Sequence, residues 1–301
     1  MKVLKKHMSG TRKMKNNMLT FENEQTMNEK ISLLKDKSRW VRSQVLDMCL
    51  LGGGHLVSSF SCVEIIVALY YGGILKFDSK RPNWDKRDRF IMSKGHGAIS
   101  LYAVLSDLGF FSSDELKNYC QCGCLLGSHP DVKTPGLEAT TGSLGHGIGV
   151  AAGMALAAKL DGKEHMVITL LGDGETTEGS VWETAMFASK RKLDNLVGII
   201  DRNQLCVTDF TDDCMGLEPL ADKWESFGWL VKEIDGHDFN GILEAFKDFR
   251  LNKTGKPLMI IANTTKGKGV SFMENDPLWH TRIPSGEQIE QAKKELRSQK
   301  T

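Results

Sequence analysis

The chain has 301 residues, 41% hydrophobic and 26% charged, enough to bury a substantial core in one large α/β domain or two smaller ones. Its 39 Lys and Arg against 38 Asp and Glu leave a formal net charge of +1, which supplies no field for nucleic acid or an acidic membrane surface. No stretch approaches the roughly 20 apolar residues a bilayer requires, and the N-terminus is basic and polar where a secretory signal is apolar, so a cytoplasmic protein is expected.

Residues 1–26 read as a disordered basic leader, because Lys2, Lys5, Lys6, Arg12, Lys13 and Lys15 occur there before any acid. A single domain is expected over 27–301. Helical apolar periodicity begins near Met27 and runs to Leu51, stopping at Gly52-Gly53-Gly54, with His55 just past the stop. A second helix is predicted over 61–71. A charged loop then leads to a short strand, Arg89 to Met92, that opens into Ser93-Lys94-Gly95-His96-Gly97 and another helix. Strand, glycine turn and helix in this succession place ligand-binding loops at the carboxyl ends of strands.

Further along, Cys120, Cys122 and Cys124 lie near His129, but their alternating spacing is not the CxxC knuckle that tetrahedral zinc favours, and no metal is expected there. The seven cysteines lack disulfide-scaffold spacing and fit reduced thiols. Thr140 to Gly147, which contains Gly142-Ser143-Leu144, is a glycine-rich entry to a helix of small residues over 148–160. Such an entry exposes free N–H groups, although glycines also serve helix starts purely for packing.

The most informative stretch follows. The apolar run 166–171 reads as a buried parallel strand ending at Gly172-Asp173-Gly174. A helix over 179–190 and a second apolar strand over 196–200, ending at Asp201-Arg202-Asn203, complete one βαβ unit. Its crossover returns the second strand parallel to the first, which puts Asp173 and Asn203 on one carboxyl edge of the sheet. An Asp carboxylate, an Asn amide oxygen and a carbonyl from the loop after Asn203 are hard oxygen donors of the kind magnesium takes together with phosphate oxygens. Taken alone, a Gly-Asp-Gly turn is more often a sheet-edge turn chosen for backbone reasons. Further strands are predicted over 228–234 and 257–263, and a polar helix over 286–298. The expected fold is a doubly wound α/β domain with a mainly parallel sheet flanked by helices, preceded by an N-terminal helical segment; strand order is not readable.

The segments LGDGETTEG and DRNQL resemble the signature of thiamine diphosphate-dependent enzymes. GGGHLVSSFSCVEI, DRFIMSKGHGAISLYAVL, GSHPD, LEATTGSLGHGIGVAAGMALA and KGKGVSFMENDPLWH resemble, in the same order, segments of transketolases. The resemblance runs from about residue 30 to 295. It implies that Asp173 and Asn203 ligate magnesium (with calcium or manganese as substitutes) through their side chains and Leu205 through its carbonyl, with Gly174 against the diphosphate. Gly142, Ser143 and Leu144 would touch the thiamine rings. His96 and His280 would lie at the diphosphate and reacting centre, while His55 and His129 would face sugar hydroxyls. Glu178 would join a carboxylate network between paired cofactor sites. Leu56-Val57-Ser58 replaces the family's frequent Pro-Gly and is expected to line a substrate channel.

The resemblance also implies a partner. This chain is similar to the first part of full-length transketolases, so the pyrimidine-binding domain and its catalytic glutamate are expected from a C-terminal transketolase subunit, in a heterotetramer with two copies of each. The donor could be an ordinary, sulfonated or branched sugar phosphate, since the acceptor-phosphate arginines belong to the other half. 1-Deoxyxylulose-5-phosphate synthases and 2-oxoacid dehydrogenase α subunits share the Gly-Asp-Gly and Asn arrangement, but the His55 and His96 motifs and KGKGVSFMENDPLWH favour transketolase. Retained ligands and histidines weigh against a noncatalytic interaction subunit, and no GxxxxGK[ST] signals a P-loop.

Overall fold

The computed structural model describes residues 24–207, 209–251 and 254–298. Most of the expected leader lies outside them, and residues 24–26 already belong to the first helix. In chain order the helices are α1 (Glu24–Gly52), α2 (Leu56–Phe60), α3 (Val63–Tyr71), α4 (Ala98–Asp107), α5 (Gly147–Leu160), α6 (Gly179–Lys190), α7 (Thr211–Cys214), α8 (Leu220–Ser226), α9 (Phe239–Phe246) and α10 (Glu287–Ser298). The strands are β1 (Arg89–Met92), β2 (Val167–Gly172), β3 (Leu196–Arg202), β4 (Leu230–Asp235) and β5 (Leu258–Asn263).

All five strands are parallel, in the order β1-β2-β3-β5-β4. Every residue of β2 is buried, which explains why this segment is a continuous apolar run rather than an alternating one. Its side chains nevertheless divide by period two between separate cores. Ile168 and Leu170, with Val197, Ile199 and Ile260, face a core built on α1, α3, α4 and α9. Val167 and Leu171, with Ile200 and Ile261, face another built on α5, α6 and α8.

The connections explain this division. From β1 to β4 the chain advances in one direction across the sheet and crosses with α5, α6 and α8 on one face. Between β4 and β5 it steps back, and α9 lies on the opposite face, as right-handed crossovers require. The carboxyl ends of β3 and β5 therefore adjoin where the chain's direction reverses, the usual position of a ligand crevice in such sheets.

Two expectations need correction. The helix predicted over 61–71 is preceded by a separate short one, α2, with a break at Cys62 (φ −100°, ψ 11°). Leu56, Val57 and Ser58 are buried in α2 rather than open to a channel within this chain, and the apolar side chains of Leu56 and Val57 join the core beneath His55. Among the described residues, no helix is long and apolar enough to cross a membrane.

Candidate active site

The register that pairs Gly172 with Asp201 brings the two loops at the carboxyl rim together. Asp173, 2% exposed, accepts the Gly174 N–H at 2.8 Å and the Gln204 N–H at 2.5 Å. Gln204 has φ +62°, a left-handed conformation costly for a residue with a Cβ, which turns the chain sharply between Asn203 and Leu205. Asn203 is also buried, and its Oδ1 accepts the Leu205 N–H at 3.2 Å. Burial pushes the Asp173 carboxyl up to about 6, and neighbouring Asp201 adds like-charge repulsion that backbone N–H groups and Lys94 only partly offset. A buried carboxylate of raised pKa beside an amide oxygen and a main-chain carbonyl is chemically suited to a hard divalent cation.

Two buried lysines flank this rim. Lys94, from the turn after β1, is paired with Asp201 at the end of β3 and donates to the Ser58 carbonyl at 3.0 Å. Asp201 also accepts from Ser61 at 2.6 Å and from Thr264 beyond β5. Lys266 donates to the carbonyls of Cys206 at 2.9 Å and Leu205 at 3.4 Å. Burial and the charge on Lys94 lower the Lys266 pKa to about 8.

Four histidines from four separate stretches converge. The His55 ring lies 5.4 Å from His96, 5.9 Å from His129 and 5.3 Å from His280, and His96 is 6.1 Å from His280. Burial lowers the pKa of each. Nearby Lys94 and Lys266 reinforce this at His55, His96 and His280, and His280 falls to about 3. Neutral imidazoles can both donate and accept. The Nδ1 atoms of His55 and His280 are buried without a protein partner, while that of His129 lies 2.9 Å from Ser128 Oγ.

Glycines set the approach to this cluster. Gly142 has φ +145°, and a Cβ there would come within 3.1 Å of the His129 ring. The preceding Thr141 donates to the Met92 carbonyl at 2.7 Å and fastens the loop to the end of β1. Ser143 is exposed and Leu144 half-buried beside Gly142. Glu178 is exposed at the start of α6, where it packs against Gly145.

Sequence reasoning named no role for Lys94, Asp201, Lys266 or Glu175. Glu175 is buried and accepts from Ser93 at 2.5 Å, Gly145 N at 2.9 Å and Gly172 N at 3.1 Å, joining three of the site's loops. The available signal was an ionisable residue inside a glycine-rich motif at a strand end for Lys94, Glu175 and Lys266; Asp201 lies in the segment DRNQL, which has no glycine. Around the cysteine cluster, the Cys124 thiol bonds the Leu126 carbonyl at 3.1 Å. All seven cysteines are free. Among the described residues, no group of three or more His, Cys, Asp and Glu is arranged to hold a metal; beside Asp173, the carboxylate of Asp201 is taken up by Lys94, Ser61 and Thr264, and that of Glu175 by Ser93 and two backbone N–H groups.

Fold and site together define a doubly wound α/β protein with buried Asp173 and Asn203 on adjoining loops at its carboxyl sheet edge, beside a cluster of four histidines. A family model described as "Transketolase, thiamine diphosphate binding domain" matches residues 39–300. The chain is 43% identical over 243 residues to an apulose-4-phosphate transketolase subunit of Phocaeicola vulgatus, covering 81% of this chain and 86% of that protein. It is 45% identical over 225 residues to 6-deoxy-6-sulfo-D-fructose transketolase subunit SqwG of a Clostridium species, covering 74% and 81% respectively. Its fold is similar to that of transketolase from Campylobacter jejuni, with a TM-score of 0.83 and 32% identity over 89% of this chain. It spans 43% of that solved chain and 41% of the similar one from Leishmania mexicana. The chain belongs to the transketolase family and carries its thiamine diphosphate binding domain.

Proposed function

We propose that this chain is the diphosphate-binding subunit of a two-subunit transketolase, which moves a two-carbon ketol unit from a ketose to an aldose. The observation that carries this reading is the convergence of the Asp173 and Asn203 loops on one sheet rim, beside four histidines.

Magnesium, or calcium or manganese in its place, would be held by the side chains of Asp173 and Asn203 and the Leu205 carbonyl. Gly174 leaves room for the diphosphate, since a Cβ there would already lie 3.1 Å from the Cys206 thiol. Gly142, Ser143, Leu144, His96 and His280 would contact the coenzyme, and Glu178 would link paired sites. When bound, thiamine diphosphate supplies the electron sink that ketol transfer needs. The protein's own task is to orient the sugar and move protons. His129, steadied by Ser128, orients the donor hydroxyls. His55, central in the cluster, exchanges protons with them as a neutral imidazole, and His96 and His280 stabilise charge on the developing alkoxide.

The partner is a C-terminal transketolase subunit carrying the pyrimidine-binding domain and catalytic glutamate, in a heterotetramer with two copies of each. The relatives from Phocaeicola vulgatus and Actinobacillus succinogenes are themselves named as transketolase subunits, which supports a partner. The relatives' names also specify apulose-4-phosphate and 6-deoxy-6-sulfo-D-fructose, which supports a branched or sulfonated donor beside ordinary sugar phosphates. A cytoplasmic location accords with seven free thiols.

The test is ketol transfer by the chain with and without its partner, in the presence of magnesium and thiamine diphosphate, against a panel of donors. Transfer is expected only from the pair, and Asp173→Ala should abolish magnesium-dependent coenzyme binding. Undiminished coenzyme binding by Asp173→Ala would overturn the metal assignment, and robust transfer by the chain alone would overturn the two-subunit reading.

A further inference from the structure

Arg42 on α1, Glu64 on α3 and His237 in the turn after β4 form a chain of side chains beneath the site. Arg42 grips both oxygens of Glu64 at 2.6 and 2.7 Å and donates to the carbonyl of Phe60, the last residue of α2, at 3.0 Å. Burial alone would raise the Glu64 pKa, but Arg42 and His237 override it and hold the group at about 2, so it is a fixed anion. Glu64 Oε2 lies 2.9 Å from His237 Nδ1. On its other side, His237 Nε2 accepts the Thr265 N–H at 2.8 Å. Because Nε2 is the acceptor, this network assigns the ring proton to Nδ1, which donates to Glu64.

Thr265 adjoins Lys266, whose ammonium reaches the Leu205 and Cys206 carbonyls. The loop is anchored independently on either side. Thr264 N donates to the Arg202 carbonyl at 2.9 Å, and Gly267 N to the Val57 carbonyl at 3.2 Å. The bond to His237 therefore governs the orientation of 265–266 rather than the course of the loop.

We propose that His237 is a positioning residue that, through the Thr265 amide, aims Lys266 at the Leu205–Cys206 carbonyls and so sets the affinity of the site for an anionic diphosphate. This rests on the proposed function, in which the Leu205 loop holds the metal and the coenzyme's diphosphate. Through Arg42 and Phe60 the same network also braces α2, which begins immediately after His55.

Two substitutions separate the two ends of the ring. His237→Asn keeps a donor near the Nδ1 position and loses the Nε2 acceptor, whereas His237→Gln extends an acceptor towards the Thr265 amide. Thiamine diphosphate is titrated with magnesium into the full chain together with its partner subunit, read by tryptophan fluorescence, with thermal melts as the folding control. His237→Asn should weaken coenzyme binding about five- to tenfold, the value of one well-made buried hydrogen bond. His237→Gln should stay within about twofold of the parent on the same scale. In a Lys266→Met background, His237→Asn should have no further effect, an interaction that a general structural role would not produce. Equal affinity of His237→Asn and the parent, or losses from Asn and Met that add, would overturn the inference alone. A parent that binds no coenzyme would overturn the functional reading and this inference with it. If the Asn variant does not melt cooperatively, the Gln variant decides: parental affinity supports the proposal, and a folded Gln variant weakened about tenfold refutes it.

Discussion

Asp173 concentrates the electrostatics of the site in one group. Its folded pKa of about 6 exceeds the ordinary 3.8, so between those values the folded chain binds more protons than the unfolded one. This group's contribution to stability is therefore greatest at low pH and is lost as pH rises through that window. A cation on the carboxylate reverses the trend, because it needs the deprotonated form. We predict that the rise in melting temperature produced by magnesium grows between pH 4.5 and 6.5 and is flat in Asp173→Asn, with pH limits chosen around that pKa. A magnesium shift independent of pH in the parent would contradict this. The placement of Asp173 and Asn203 on one sheet rim was legible in the sequence because each lies just beyond an apolar run that reads as a buried strand. Lys94 with Asp201, and Ser93 with Glu175, were not, since these partners lie 107 and 82 residues apart and only the folded sheet brings them together.

At the level of elements, the loops carry the strain and the strands carry the position. Gly142 is the clearest case, with a φ that L-residues rarely adopt and the His129 ring where a side chain would go. Gly142→Ala should destabilise the chain by about 1–3 kcal/mol in urea denaturation, the usual cost of a side chain forced into such a region. It should also raise the donor KM of the assembled enzyme, because relief requires His129 to move. An unchanged KM with lowered stability would show that His129 does not depend on this contact. The strand boundaries and most helices follow from apolar periodicity to within a few residues. α2 escaped because Ser58 and Ser59 interrupt its apolar pattern, although both are as buried as their neighbours. A buried serine in a short helix is indistinguishable from a loop serine until its surroundings are known.

Across the whole molecule, the Lys94–Asp201 pair ties the end of β1 to the end of β3, with β2 and its Asp173 turn between them. Both partners are at most 1% exposed, so removing one leaves an uncompensated buried charge. Lys94→Met or Asp201→Leu alone should cost about 3–5 kcal/mol by chemical denaturation, and the double variant distinctly less than the sum. Additive losses would mean that the pair is not a unit. Parallel pairing was foreseeable from the βαβ rhythm, but the order was not: the step back from β4 to β5 depends on which face α9 covers, and its apolar stripe fits either.

The clustered histidines come from stretches as distant as His55 and His280, one before and one after all the strands of the described residues. The four histidines come together only when the whole sheet is in place, so ligand capture and complete folding are thermodynamically linked. A cell depleted of the vitamin from which the coenzyme is made would thus lose not only turnover but also protection of this polypeptide against proteolysis.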